Sequence, residues 1–187
     1  MIIRSAKAED SSQILRLNEE SVRFLSPLAA ERLALLETQA AYLRVVEADG
    51  AAVAFLLAFR EGSAYDSPNY AWFAARFPRF VYIDRVVVSQ AMQGRGVGRL
   101  LYEDLFAFAR ASGVSQVTCE IDLDPPNPTS LSFHQRYGFA EVGTQTYGHA
   151  QKLVSLQAVH LEPAGRIASN GAPAFDLTMA SQPITCT

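Results

Sequence analysis

The alternation of apolar and polar positions divides the chain into a strand, two helices, three strands, a helix, a strand, a helix and a closing pair of strands. Ile2-Ile3-Arg4 is a short strand, and behind Glu9-Asp10 the residues Ile14, Leu15, Leu17 and Val22 recur at helical spacing. A second helix is predicted over about 28–37, with Leu33, Leu35 and Leu36 on its apolar face. Residues 42–47 and 51–60 are β-rich runs joined at Asp49-Gly50, a dipeptide that readily takes the positive φ of a tight turn, so an antiparallel hairpin is expected. Between 61 and 79, turn formers are mixed with aromatics, which reads as a loop with room for one short helix.

The strand over 80–88 ends in β-branched residues, the pattern of a central strand buried on both faces. A helix over 97–111 follows, with Val97, Leu101, Leu105 and Phe108 on one face and Ser112-Gly113 at its end. The strand over 116–123 then lies parallel to the one before the helix, because strand, helix and strand in succession form a right-handed crossover. Asp124-Pro125-Pro126-Asn127-Pro128 breaks the pattern, a helix over 129–137 ends at Gly138, and strands over 139–145 and 152–161 complete the order. From 162 to 187 the composition shifts to Pro, Gly, Ala, Ser and Thr, so one domain over 1–161 with a poorly ordered tail is expected.

Composition narrows the function classes. With 187 residues, 49% apolar and 19% charged, the chain has the balance of one soluble globular domain. A net charge of -3 without a dense Lys/Arg run argues against nucleic acid and anionic membrane surfaces as partners. The longest apolar stretches, such as 51–59, are too short to span a bilayer, and no basic-then-apolar leader opens the chain, so a cytoplasmic protein is expected. The two cysteines, Cys119 and Cys186, build neither a disulfide framework nor a zinc spacing; no metal is expected, and Cys119 among Val117 and Ile121 reads as a small core residue.

The chemistry concentrates where Val86-Val87-Val88 leads through a short connection into Gln93-Gly94-Arg95-Gly96-Val97-Gly98 at a helix start. Leading helix amides lack intrahelical acceptors and carry the positive end of the helix dipole, so a phosphate docks well there. Glycine keeps a Cβ out of the anion's path, and Arg95 and Arg99 can add charge-assisted hydrogen bonds. The dinucleotide fingerprint wants a third glycine where Arg99 stands, and the P-loop wants Gly-Lys-Ser/Thr, which is absent. By residues alone, the alternative is a tight turn whose glycines only let helix and strand pack.

The turn resembles the signature of the GNAT superfamily of acetyl-CoA-dependent N-acetyltransferases: Gln or Arg, two residues, Gly, one residue, Gly or Ala, here Gln93, Gly96 and Gly98. The second half of that pattern is an Asn after the next strand, a small residue, an aromatic and Gly-Phe; the chain offers Asn127, Ser130, His134 and Gly138-Phe139. The likeness spans roughly residues 1 to 160. It implies an α/β (α+β) fold with a mixed, mostly antiparallel sheet, a central parallel strand pair that splays apart, and helices on both faces. It implies acetyl-CoA as cosubstrate, its pantetheine arm along Val86, Val87 and Val88, its pyrophosphate on 93–99, and Asn127, Ser130 and His134 close by. It also implies direct transfer to an amine acceptor, and a homodimer paired through the final strands.

Three jobs follow from direct transfer: a base for the ammonium proton, donors for the oxyanion and an acid for the thiolate. Where the family usually presents a Tyr four residues before the Gly of Gly-Phe, this chain has His134, whose ordinary pKa near neutrality suits an acid; Tyr137 is the fallback. Asp84 and Glu120 are the base candidates, since charges in strands this apolar are costly unless paired or functional; the alternative is an ion pair with Arg85 or exposure at a strand end. Two-residue alternation puts Asp84 on one face with Tyr82 and Val86. His149 and His160 read as surface residues. Tyr65, Asp66, Asn69, Tyr70 and Trp72 are the acceptor-side candidates, with aromatic faces and an acid suited to a cationic amine. The alternatives to a small-molecule or peptide N-acetyltransferase are a non-catalytic acyl-CoA sensor and an O-acetyltransferase.

Overall fold

The computed structural model describes residues 1–22, 25–147 and 152–162. The expected tail beyond 162 and His149 lie outside the described residues. The strands are β1 (Ile2–Ser5), β2 (Tyr42–Ala48), β3 (Ala51–Arg60), β4 (Val81–Val88), β5 (Gln116–Asp124), β6 (Ala140–Tyr147) and β7 (Lys152–His160). The α-helices are α1 (Ser11–Glu20), α2 (Ala30–Gln39), α3 (Pro68–Ala74), α4 (Val97–Ala111) and α5 (Pro128–Arg136). One sheet of order β1-β2-β3-β4-β5-β7-β6 carries them, and every neighbouring pair is antiparallel except β4 with β5.

Local chemistry sets the boundaries. Asp49 and Gly50 both take positive φ, 51° and 77°, the primed turn whose twist matches the flanking strands β2 and β3. Pro68 opens α3, with the Ser67 hydroxyl accepting from the amides of Asn69 and Tyr70. At the end of α5, Gly138 at φ 82° lets its amide reach the Gln135 carbonyl and that of Phe139 reach His134, which closes the last turn.

The core lies on both faces of the sheet. Against one face α4 buries Val97, Leu101, Tyr102, Leu105, Phe106 and Ala109, with Phe108 partly buried, while α5 adds Phe133. Each such aliphatic or aromatic side chain contributes about 1.5–3 kcal/mol on burial. Against the other face lie Ile14 and Leu17 of α1, Leu33 and Leu36 of α2 and Tyr70 and Phe73 of α3. Two expected core positions are not in it: Val22, beyond the end of α1, and Leu35, which points away from the sheet, are 39% and 46% exposed. Cys119 is fully buried, as a small core residue should be.

Two irregularities position the site. The parallel strands β4 and β5 pair only at Val81 with Val117 and Tyr82 with Thr118, so beyond Tyr82 they diverge and, among the described residues, the β5-facing edge of β4 has no strand partner. The second is a bulge: Arg85 pairs Leu57 and Ile83 pairs Ala58, leaving Asp84 as the extra residue on β4. The bulge shifts the alternation by one. Val86 therefore packs with Ile83 and Val88 against α4, and the expectation that Asp84 shares its face with Val86 is corrected: Asp84 stands with Tyr82 and Arg85 on the opposite side.

Candidate active site

The turn after β4 is built to present backbone. Gly94 and Gly96 take φ 72° and 78°, and Gly96 is the residue that caps α4. A Cβ at Gly96 would meet no protein atom within 4 Å, so the constraint on that position is its left-handed backbone, and the space over it is open. An open cradle at a helix start, with leading amides that have no intrahelical acceptor, fits a diphosphate. Gln93 braces the turn by donating its side-chain amide to the Val88 carbonyl at 3.3 Å. Arg95 and Arg99 are exposed beside the turn, and Arg99 makes an exposed pair with Glu103 at 2.7 Å, a weak contact that water screens. Val86, Val87 and Val88 are buried on the diverging stretch of β4, and Val97 and Gly98 are buried under the turn.

The second half of the motif is placed differently. Asn127 caps α5 by accepting from the Ser130 amide at 3.1 Å, and both residues are buried. His134 is fully buried, its ring edge-on to Tyr102, Phe133 and Phe139. Its Nδ1 lies 2.7 Å from the Ser130 carbonyl and its Nε2 lies 2.6 Å from the Tyr102 hydroxyl. A carbonyl only accepts, so Nδ1 carries a proton, and in the neutral ring Nε2 then accepts from Tyr102. Tyr137 packs on Tyr102, Phe106 and Phe133, and burial, with the nearby Glu103 charge, pushes its phenol up to about 12.

On the other side of the splay, a cavity of about 230 Å³ is lined by Ser26, Arg32, Tyr65, Asp66, Ser67, Pro68, Asn69, Asp84, Arg85 and Glu120. Both base candidates are in its wall. Asp84 accepts from the Tyr65 hydroxyl and, at 2.6 Å, from Arg85 Nε, so the ion pair weighed against a catalytic part is present. Glu120 accepts from the Tyr82 hydroxyl at 2.7 Å across the β4–β5 gap. Burial, reinforced by the Glu120 charge, holds the Tyr82 phenol well above its ordinary value, and burial plus Asp84 does the same to Tyr65. Both phenols therefore stay protonated as donors. Burial works against the Arg85 charge, but Asp84 outweighs it and keeps the guanidinium charged.

Of the five acceptor-side candidates, the structure brings three to the cavity: Tyr65, Asp66 and Asn69. Tyr70 is core, accepting from the Ser63 amide and donating to the Arg60 carbonyl, and Trp72 lies under the Arg76 guanidinium at 3.7 Å with its ring against Gly143. The faces of Tyr65 are in use as well: Phe59 stacks on the ring at 4.2 Å, and Arg32 lies 5.7 Å from its centroid and pairs with Asp66. Two wall residues, Ser26 and Arg32, carry no signal in the chain's pattern, and Ser67 and Pro68 signal a turn rather than a site. Arg85 and Tyr82 do carry a signal, polar groups in an apolar strand beside Asp84. Among the described residues no three His, Cys, Asp or Glu side chains gather as a metal centre would need, and no helix is long and apolar enough to cross a membrane.

The splayed parallel pair, the glycine-capped helix and the polar cavity opposite it define an acyltransferase of one known design. The chain belongs to the acetyltransferase (GNAT) family, whose model matches residues 10–139 and so takes in the whole turn and α5. It is an acetyl-CoA-dependent acyltransferase of the kind that acetylates amines. Its fold is that of Ard1 from Thermoplasma volcanium, with a TM-score of 0.71 at 16% identity over 86% of this chain and 97% of that one. The ribosomal-protein-S18-alanine N-acetyltransferase of Escherichia coli gives 0.66 at 16% over 90% and 99%, and a ribosomal-protein-alanine N-acetyltransferase of Brucella melitensis gives 0.64 at 21% over 86% and 100%. No curated protein sequence matches significantly.

Proposed function

We propose that the chain transfers an acetyl group from acetyl-CoA to the primary amine of a small molecule seated in the cavity between Tyr65 and Glu120. The observation that carries this reading is the divergence of β4 from β5 beyond Tyr82, with the anion-binding turn following β4 and Asp84, Arg85 and Glu120 of the cavity wall standing on the diverging strands. Acetyl-CoA, when bound, supplies the activated acyl thioester. The turn over 93–98 and the side chains of Arg95 and Arg99 hold its phosphates, and the open edge of β4 at 86–88 offers backbone hydrogen bonds to its arm.

Glu120 serves as base. It is buried in the wall, oriented by the Tyr82 phenol, and a carboxylate there can draw the proton from an entering ammonium. The free amine then adds to the acyl carbon, the carbon–sulfur bond breaks as the carbonyl re-forms, and the proton left over on nitrogen balances the one delivered to the departing sulfur, so amide and free thiol result. Asp84 has both oxygens engaged, by Tyr65 and Arg85, and we assign it to holding Arg85 in place. His134 keeps its proton on Nδ1 for the Ser130 carbonyl and accepts at Nε2, so it has none to offer the thiolate, and we assign it to packing α5 on α4. Tyr137, protonated and partly exposed, is then the remaining donor in the helix.

The test is release of free thiol from acetyl-CoA by the purified chain across a panel of primary amines. Acceptor-dependent thiol with an amide product supports the reading. Saturable acetyl-CoA binding without thiol from any acceptor would replace it with a sensor, and a base-labile product would replace it with transfer to a hydroxyl.

A further inference from the structure

Two residues of the cavity wall carry a side-chain nitrogen with no acceptor among the described residues. Arg85, 6% exposed, uses Nε on Asp84 and Nη1 on the Asn18 side chain at 2.7 Å and the Ser26 carbonyl at 3.5 Å, while its Nη2 meets no partner among the described residues. Asn69 is fully buried; its Oδ1 accepts from Gln145 at 2.9 Å, and its Nδ2 has no hydrogen-bond partner among the described residues. A buried amide nitrogen without an acceptor is costly and rare, and here it stands in the same wall as a guanidinium with a nitrogen to spare. Both groups ask for oxygen, and the guanidinium asks for an anionic one.

We infer that the acceptor is a free amino acid or a molecule of that size carrying both an amine and a carboxylate, the carboxylate taken by Arg85 and Asn69 and the amine turned toward Glu120. This rests on the acetyltransfer reading above and narrows its substrate. Charge agrees: the wall carries three carboxylates and two guanidiniums, and a zwitterion enters without changing that balance. A polyamine would set its second ammonium against Arg85 and Arg32. Size agrees as well, since about 230 Å³ lies below the roughly 300–1,000 Å³ usual for drug-sized ligands.

The experiment compares matched acceptors with the full chain and acetyl-CoA: alanine, lysine and phenylalanine against ethylamine, cadaverine and phenethylamine, and each amino acid against its carboxamide. At least one amino acid should exceed both of its partners by about tenfold or more in kcat/KM, a typical discrimination for one charge-assisted contact. Asn69→Leu, which removes the amide donor at similar volume, should shrink that ratio to about threefold or less. Amines or carboxamides used as well as the amino acids would overturn the inference while leaving the acetyltransferase standing. If acetyl-CoA binds and no amine releases thiol, the activity reading falls, and calorimetry of the amino acids alone decides this one. Saturable binding by an amino acid and not its decarboxylated amine upholds it, and no binding overturns it. The same wild-type titration serves if Asn69→Leu does not fold.

Discussion

The turn over 93–98 and the cavity beside Tyr65 lie on either side of one gap, yet they are made of different material. The turn works with backbone: amides at a helix start, two left-handed glycines and open space, with Gln93 as a brace. The cavity works with side chains drawn from the loop after α1, α2, the segment leading into α3, β4 and β5, each held by a partner from another element. A backbone site needs little more than a short run with glycines in the right places, so it can be common to many acetyltransferases. A site assembled from distant side chains can be exchanged piece by piece, and that is where the proposed function puts acceptor choice. The same contrast says how each should fail.

The largest effect should come from the turn. Gly96→Trp forces a side chain onto a backbone at φ 78° and fills the open cradle, and is expected to weaken acetyl-CoA binding about a thousandfold, equivalent to about 4 kcal/mol. Calorimetry reads it, and binding within tenfold of wild type would dissociate the turn from the cofactor. On the cavity side, Glu120→Gln should lower kcat by about 100-fold to 1,000-fold with acetyl-CoA affinity intact; a parallel loss of affinity would make Glu120 structural.

Asp84→Asn separates folding from chemistry. It leaves the Arg85 charge buried at a site built around an ion pair and should cost about 3 kcal/mol of stability in urea melts. A loss under 1 kcal/mol would mean that Arg85 reaches solvent in the free protein. Arg99→Ala, at an exposed pair, should leave the melt unchanged and weaken acetyl-CoA binding by about threefold to tenfold. The smallest change is expected from His134→Gln, which can still bond Tyr102: turnover should stay within about twofold while stability drops by about 1 kcal/mol. A hundredfold loss of turnover there would return the acid role to His134.

The same division governs what the chain discloses before it folds. Helix α4 can be read from the sequence at both ends because its start, its face and its stop are local: glycines before Val97, an apolar stripe through Leu105, Ser112-Gly113 after it. The parallel pairing of β4 and β5 follows from handedness, and the anion turn from spacing. The fold class and the family were thus legible. The placement of Asp84 was not, because an alternation rule assumes an unbroken pleat and the bulge opposite Leu57 and Ala58 breaks it. Nor does spacing show that Tyr65 would spend its hydroxyl on Asp84 and its faces on Phe59 and Arg32. Those are choices of tertiary packing, made among residues up to 33 apart in sequence.

The short seam at Val81 and Tyr82 has a mechanical consequence. Strands β1 to β4 form one panel and β5, β7 and β6 another, joined in the sheet by two residue pairs and, across the gap, by the Tyr82–Glu120 hydrogen bond, with α4 packed over both. Such a sheet behaves as a hinged pair of plates, with its free energy of opening concentrated at the stitch. Whatever spans the diverging stretch serves as the missing rungs, so under the proposed function the donor substrate doubles as a splint. Amide exchange at Ile83 to Val88 should accordingly slow by the factor that donor binding adds to the folding equilibrium.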